Sequence, residues 1–223
     1  AARINKKEIA TEDLREAIEK VMLGPQRKSH ILSVKEKEIT AYHEGGHALV
    51  GSVLPESAPV HKVTILSRGR AAGYTMKLPS EDRHLHTKSS FLDEIAALLG
   101  GYAAERLVFG ELTTGASNDL KTATSMARKL FTTYGMSDEM GPITLGDSHE
   151  TVFLGRELGE QRNYSEEVAK KIDAEVSRIM KEGLARATET LVLHRSYLDE
   201  IAKTLIAEET LEQDQFAKIV KDI

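Results

Sequence analysis

Two histidines and a glutamate carry the most pointed chemistry in the sequence: His43-Glu44-Gly45-Gly46-His47, an H-E-x-x-H pattern. On an α-helix, positions i and i+4 share a face, so both imidazoles can reach one metal ion. Glu44 is offset around the helix and can face an activated water without ligating the metal, as a general base must. The pattern points to a zinc hydrolase, most simply a peptidase. Cysteine is absent from the 223 residues, so disulfides and thiolate ligands are excluded and any metal must be held by His, Asp or Glu.

A third ligand has two candidates. Glu105 lies within a helical stretch, where a solvated or supporting carboxylate is its ordinary role. Asp119 follows Thr113-Thr114-Gly115-Ala116-Ser117-Asn118, small polar residues that open a helix. It could complement that helix's dipole or serve as a rigidly mounted ligand, and sequence spacing does not decide. His84-x-His86 would share a face only in a strand but sits in loop-like sequence. It is read, like His30, His61, His149 and His194, as surface or hydrogen-bonded histidine.

The elements that must position these groups are legible as periodicities. Residues 33–54 read as the H-E-x-x-H helix, ended by Pro55. Gly45 and Gly46 each cost this helix about 1 kcal/mol relative to Ala, so another segment is expected to pack closely against them. Residues 6–23 read as a short amphipathic helix stopped by Gly24-Pro25. Residues 60–66 alternate and are β-branched, a strand, with a second strand at Gly73-Tyr74-Thr75-Met76 after a turn at Arg68-Gly69-Arg70. Such a hairpin can offer an edge to an extended peptide or merely shield the core.

Residues 87–109 read as one helical region in which Gly100-Gly101 mark a close contact or kink, and a helix follows Asp119. Residues 135–162 read as a loop with one short strand. A long helix runs from Ser165 to about Leu193, another from near Ser196, and a last one through Phe216 and Ile219. The fold class is therefore mostly α (α+β): a helical bundle carrying the zinc site, with a small β-hairpin or sheet beside it.

Composition sets the outer limits. Apolar residues make up 40% and charged residues 29%, those of a soluble globular chain. The net charge of −5 is spread along the sequence without a basic tract, so no nucleic-acid partner is expected. No apolar run is long enough to span a bilayer, and no G-x-x-x-x-G-K-[ST] phosphate loop occurs. The chain opens Ala1-Ala2-Arg3 and is expected to be a fragment of a longer protein.

Several stretches together resemble the peptidase region of FtsH, the family of membrane-anchored AAA+ zinc proteases. They are Ala41-Tyr42-His43-Glu44-Gly45-Gly46-His47-Ala48, Pro59-Val60-His61-Lys62-Val63-Thr64-Ile65, Leu99-Gly100-Gly101 with Ala103-Ala104-Glu105, residues 113–119, and Tyr134-Gly135-Met136-Ser137. Gly45, Ser67 and Tyr102 stand where alanine, proline and arginine are commoner in that family; none removes a catalytic group. The resemblance implies His43, His47 and Asp119 as Zn2+ ligands and Glu44 as general base, and so favours Asp119 over Glu105. It implies that residues 1–28 are the tail end of an AAA+ lid domain plus linker and residues 29–223 the zinc peptidase domain.

It also implies a homo-hexamer that degrades unfolded or membrane-extracted polypeptides, with ATP and Mg2+ used by an ATPase part outside these residues. The parent is expected at the cytoplasmic face of a bacterial inner membrane, an organelle membrane being the other setting. The fragment itself is expected to be soluble, with membrane contact only through N-terminal segments it lacks. Two rival readings remain: a ring-independent zinc peptidase with Glu105 as third ligand, and a non-catalytic hexamerisation module whose histidine pair is structural.

Overall fold

The computed structural model describes residues 7–24, 32–68, 71–78, 85–145 and 164–223. Along the chain run α1 (Thr11–Leu23), α2 (Val34–Val53), β1 (Val60–Thr64), β2 (Tyr74–Lys77), α3 (Lys88–Leu98) and α4 (Gly100–Phe109). A 3-10 turn (Thr114–Ala116) leads into α5 (Ser117–Thr132), followed by α6 (Glu166–Leu193), α7 (Arg195–Glu208), β3 (Thr210–Glu212) and α8 (Gln213–Ile219). The helical bundle with a small sheet is as expected.

α2 is the centre of this arrangement. Its start is fixed by a reciprocal cap: Ser33 Oγ accepts from Glu36 N–H at 3.2 Å, and Glu36 Oε2 accepts from Ser33 N–H at 2.9 Å. From His43 to Gly51 every residue is buried, because the helix is wrapped by α3, α4, α6, α7 and β1. A helix buried all round needs no apolar stripe, which is why small residues and histidines can occupy every face. The stripe of α6 (Ile172, Val176, Ile179, Gly183, Ala187, Leu191) and that of α7 (Leu198, Ile201, Ala202, Leu205) close the core as their spacing predicts.

Several features differ from the sequence reading. The stretch 87–109 is two helices, because the chain turns at Leu99 and brings Gly100 and Gly101 face-on to α2. The hairpin is a three-stranded antiparallel sheet of order β2-β1-β3. β3 supplies Leu211 opposite Val63, but three residues are too few to show a period of two in the sequence. The first helix begins at Thr11, where Asp13 Oδ2 accepts from Ala10 N–H at 2.9 Å. In the 135–162 stretch, residues 135–145 form no regular strand, only an isolated bridge between Ser137 and Gly141; the remainder lies outside the described residues, as do the Gly69-Arg70 turn residues and His84.

Candidate metal centre

α2 points both imidazoles the same way, and each ring is held from behind. His43 Nδ1 donates to Glu105 Oε1 at 2.7 Å, and His47 Nδ1 donates to the Ala97 carbonyl at 2.9 Å. With both Nδ1 atoms committed as donors, each neutral ring carries its lone pair on Nε2. The two Nε2 atoms face one another at 3.1 Å, and Asp119 Oδ2 stands 3.2 Å from one and 3.4 Å from the other.

Three lone-pair atoms at such spacing repel unless a cation sits among them. A tetrahedral zinc with bonds of about 2.0–2.1 Å has ligand–ligand edges of about 3.3 Å, which is the spacing found. Among the described residues these three form the one such cluster, so the donor set and its geometry fit zinc.

Asp119 reaches the histidines from the first turn of α5, and Glu105 is what ties the two together. Glu105 is 1% exposed. One of its oxygens receives His43 Nδ1–H, and the other accepts from Thr113 N–H at 2.7 Å, at the start of the turn that delivers Asp119. Glu105 thus touches the back of His43 rather than the Nε2 face. It orients one imidazole of the cluster and anchors the segment carrying Asp119.

The charges around the cluster are arranged for a positive centre. Burial disfavours the His43 imidazolium, yet Asp119, Glu105 and Glu44 outweigh it and push its pKa up to about 10. Burial would raise Asp119, but hydrogen bonds to His43 and His47 hold its carboxyl well below the usual range. A proton and a divalent cation therefore compete for the same three atoms.

Glu44 is 7% exposed and lies on the wall of a cleft of about 1010 Å³ that contains the cluster. Burial raises its pKa against the opposing pull of His43 and His47. Thr75 Oγ1 donates to Glu44 Oε2 at 2.9 Å, so β2 fixes the carboxylate's rotamer. Gly73 lets the strand approach: a Cβ there would stand 2.9 Å from Glu44 Cγ. The other long edge of β2 is unpaired among the described residues, and Tyr74, Thr75 and Lys77 line the cleft.

The glycines flagged in the sequence find their partners here. A Cβ on Gly46 would meet the backbone of Gly100 and stand 2.7 Å from Ala104 Cβ, so α2 and α4 cross with bare backbones in contact. A Cβ on Gly101 would stand 2.6 Å from both Nε2 atoms, so its absence leaves room for the two rings. Gly45 meets α7 less tightly, with Ile201 Cγ2 at 3.2 Å.

The structure therefore brings together His43, His47, Asp119 and Glu44, and places Glu105 beside them in a supporting position. Sequence reasoning missed Ala97, Thr113 and Thr75. Ala97 and Thr113 act through backbone groups, which leave no signature in residue type. Thr75 carried one faint signal, its inward register in the second strand. His86 is exposed beside Phe91 and His61 is bonded to Gln213, ordinary roles as expected.

Comparison with known proteins agrees with this geometry. Residues 30–219 match peptidase family M41. The chain is 50% identical over 222 residues to the ATP-dependent zinc metalloprotease FtsH of Pseudothermotoga lettingae, covering 99% of this chain and 36% of that protein. It is 53% identical over 221 residues to the FtsH of Kosmotoga olearia, and 48% identical over 221 residues to that of Bacillus subtilis, with 99% of this chain covered in both and 34% and 35% of those proteins. The chain spans about a third of the length of these relatives. It belongs to peptidase family M41 and corresponds to the peptidase region of FtsH proteins.

Proposed function

We propose that residues 29–223 are a zinc endopeptidase domain in which His43 Nε2, His47 Nε2 and Asp119 Oδ2 hold the metal and Glu44 is the general base. The observation that carries this reading is the convergence of three lone-pair atoms at 3.1–3.4 Å with the Glu44 carboxylate on the same cleft wall. Bound zinc supplies Lewis acidity, making a water more acidic and a peptide carbonyl more electrophilic. Glu44 takes the proton lost by the attacking water and returns it to the leaving amine, and its burial-raised pKa makes it a stronger base for that role. Thr75 keeps the carboxylate aimed, and Glu105 and Ala97 keep the imidazole Nε2 atoms turned inward. The unpaired edge of β2 fits an extended polypeptide lying along the cleft, read through its backbone.

The named activity of the relatives supports a wider reading. This domain works in an ATP-dependent protease on polypeptide substrates, as part of a homo-hexamer, with ATP and Mg2+ used by an ATPase outside these residues. In that reading residues 1–28 are the end of the ATPase lid plus a linker, and the parent is anchored in a bacterial inner membrane with this region on the cytoplasmic face. Among the described residues no helix is long and apolar enough to cross a membrane.

The decisive experiment is Glu44→Gln. Zinc content measured by mass spectrometry should be unchanged, and cleavage of an unfolded protein should fall roughly 10²–10⁴-fold, the usual share of a general acid–base group. Residual cleavage near the wild-type rate would remove Glu44 from the mechanism. In parallel, Asp119→Asn should lose zinc outright; if it keeps zinc while Glu105→Gln loses it, the ligand assignment is wrong.

A further inference from the structure

α1 is attached to the rest of the molecule in an unusual way. Three of its apolar side chains face outward: Leu14 is 56% exposed, Ile18 52% and Val21 86%. Among its described side chains the one fully sheltered is a carboxylate. Glu19 is 2% exposed; its Oε1 accepts from Lys62 Nζ at 2.7 Å, and its Oε2 accepts from Tyr74 Oη at 2.9 Å and Arg68 Nη2 at 3.0 Å.

These partners are not scattered. Lys62 is in the central strand β1, Arg68 follows that strand, and Tyr74 opens the edge strand β2. One carboxylate therefore grips both ends of the β1–β2 connection, whose Gly73 lies against Glu44 and whose flank lines the cleft.

Residues 74 and 75 are neighbours in an extended strand, so their side chains leave opposite faces. On one face Tyr74 is held by Glu19; on the other, Thr75 holds the Glu44 carboxylate. The peptide between them is stiff, so a displacement of Tyr74 is passed to Thr75. Removing the Glu19 carboxylate takes one acceptor away from two cations and a phenol at once, so a single side chain carries the fastening. Glu19 lies outside residues 30–219, the part matched by the peptidase family.

We propose that Glu19 is a positioning residue of the peptidase site: through Tyr74 it fastens α1 to the edge strand and sets the strand that aims Glu44 and receives the substrate backbone. This rests on the peptidase reading above. The consequence is that a helix preceding the peptidase fold governs how well that fold holds an extended polypeptide.

The test uses the whole 223-residue chain loaded with zinc, comparing wild type with Glu19→Gln, Tyr74→Phe and Leu14→Ala. Glu19→Gln removes the charge that faces Arg68 and Lys62, the latter keeping Glu212 at 3.1 Å, and Tyr74→Phe removes only the hydroxyl. Both should speed amide hydrogen exchange at residues 74–77, leave zinc content unchanged, raise KM for a long unfolded polypeptide about fivefold and lower kcat about threefold as Glu44 is aimed less well. Leu14→Ala, on the exposed face of the same helix, should change none of these.

Unchanged exchange at residues 74–77 in Glu19→Gln would overturn the fastening. Faster exchange with an unchanged KM would overturn the positioning role. An equal response to Leu14→Ala would show that α1 docks by its apolar face instead. If the wild-type chain with zinc bound cleaves nothing, the peptidase reading fails, whereas the exchange comparison still decides the fastening.

Discussion

The α2–α4 crossing and the α1–sheet contact both surround a buried glutamate with donors, yet they hold together for opposite reasons. At the crossing, backbone meets backbone through Gly46 and Gly100, and Glu105 is added to an interface that packing already fixes. At the sheet, Glu19 is the sheltered centre of the contact, and Leu14, Ile18 and Val21 of its helix face solvent. Packing is insensitive to pH and tolerates the loss of a single polar group. An ionic fastening is directional and can be released by protonating one carboxylate. The histidine–aspartate cluster is thus built on the first kind of contact, and the preceding helix is joined to the sheet beside it by the second.

The comparison breaks most easily at Gly46. Gly46→Ala places a methyl against Gly100 and Ala104, which neither backbone nor Cβ can yield to. We expect a loss of about 2–3 kcal/mol, seen as a Tm lower by roughly 4–12 °C. A Tm at or above wild type would mean that the helices can separate freely and that the crossing does not define the site.

Glu105→Gln sharpens the role of polar groups at such a packed interface. The fold should persist, since α2 and α4 still cross, but His43 loses its anionic partner. Zinc affinity by competition with a chelator should fall about 10–100-fold.

Acid should separate the two regions. Burial would raise the Glu19 pKa, but Lys62, Tyr74 and Arg68 together hold it below its ordinary value of 4.5. Because the folded value is the lower one, Glu19 stabilises the α1 contact fully above pH 4.5 and loses that contribution as pH falls through the folded pKa. Tyr74 ring signals in NMR should shift in that acid range, before amides of α2 near Gly46 lose exchange protection. Simultaneous loss of both would erase the distinction.

The smallest effect is expected one residue away from the largest. Gly45→Ala gains helix propensity of about 1 kcal/mol, against a 3.2 Å contact with Ile201 Cγ2, which has to give by only a few tenths of an ångström. Thermal unfolding should show a change within about 1 kcal/mol, on the stabilising side. A large destabilisation would show that α7 packs on α2 as rigidly as α4 does.

Much of the fold was open to reading because it is local. The cap Ser33 with Glu36, the stop at Leu54 before Pro55, and the stripe from Ile172 to Leu191 each express a short-range rule. The glycine pair was legible as a cost but not as a contact. Its two members face different helices, Gly100 for one and Ile201 for the other, and adjacency in sequence hides that. The break at Leu99 was suggested by Gly100-Gly101, whereas β3 was too short to show a pattern at all.

By itself the sequence determined the i, i+4 histidine pair, the absence of thiolate ligands, the helical class and, through its many shared stretches, the family. The tertiary structure decided which atoms face which. It set Asp119 Oδ2 against both Nε2 atoms although it lies 76 residues from His43. It put Glu105 on the reverse of the same ring from 62 residues away, and the Ala97 carbonyl behind His47 from 50. Helical periodicity fixes neighbours within a turn or two, so it placed the histidines on one face. Contacts over such separations depend on how whole helices cross, and that was settled by where bare glycine backbone let α2 and α4 meet.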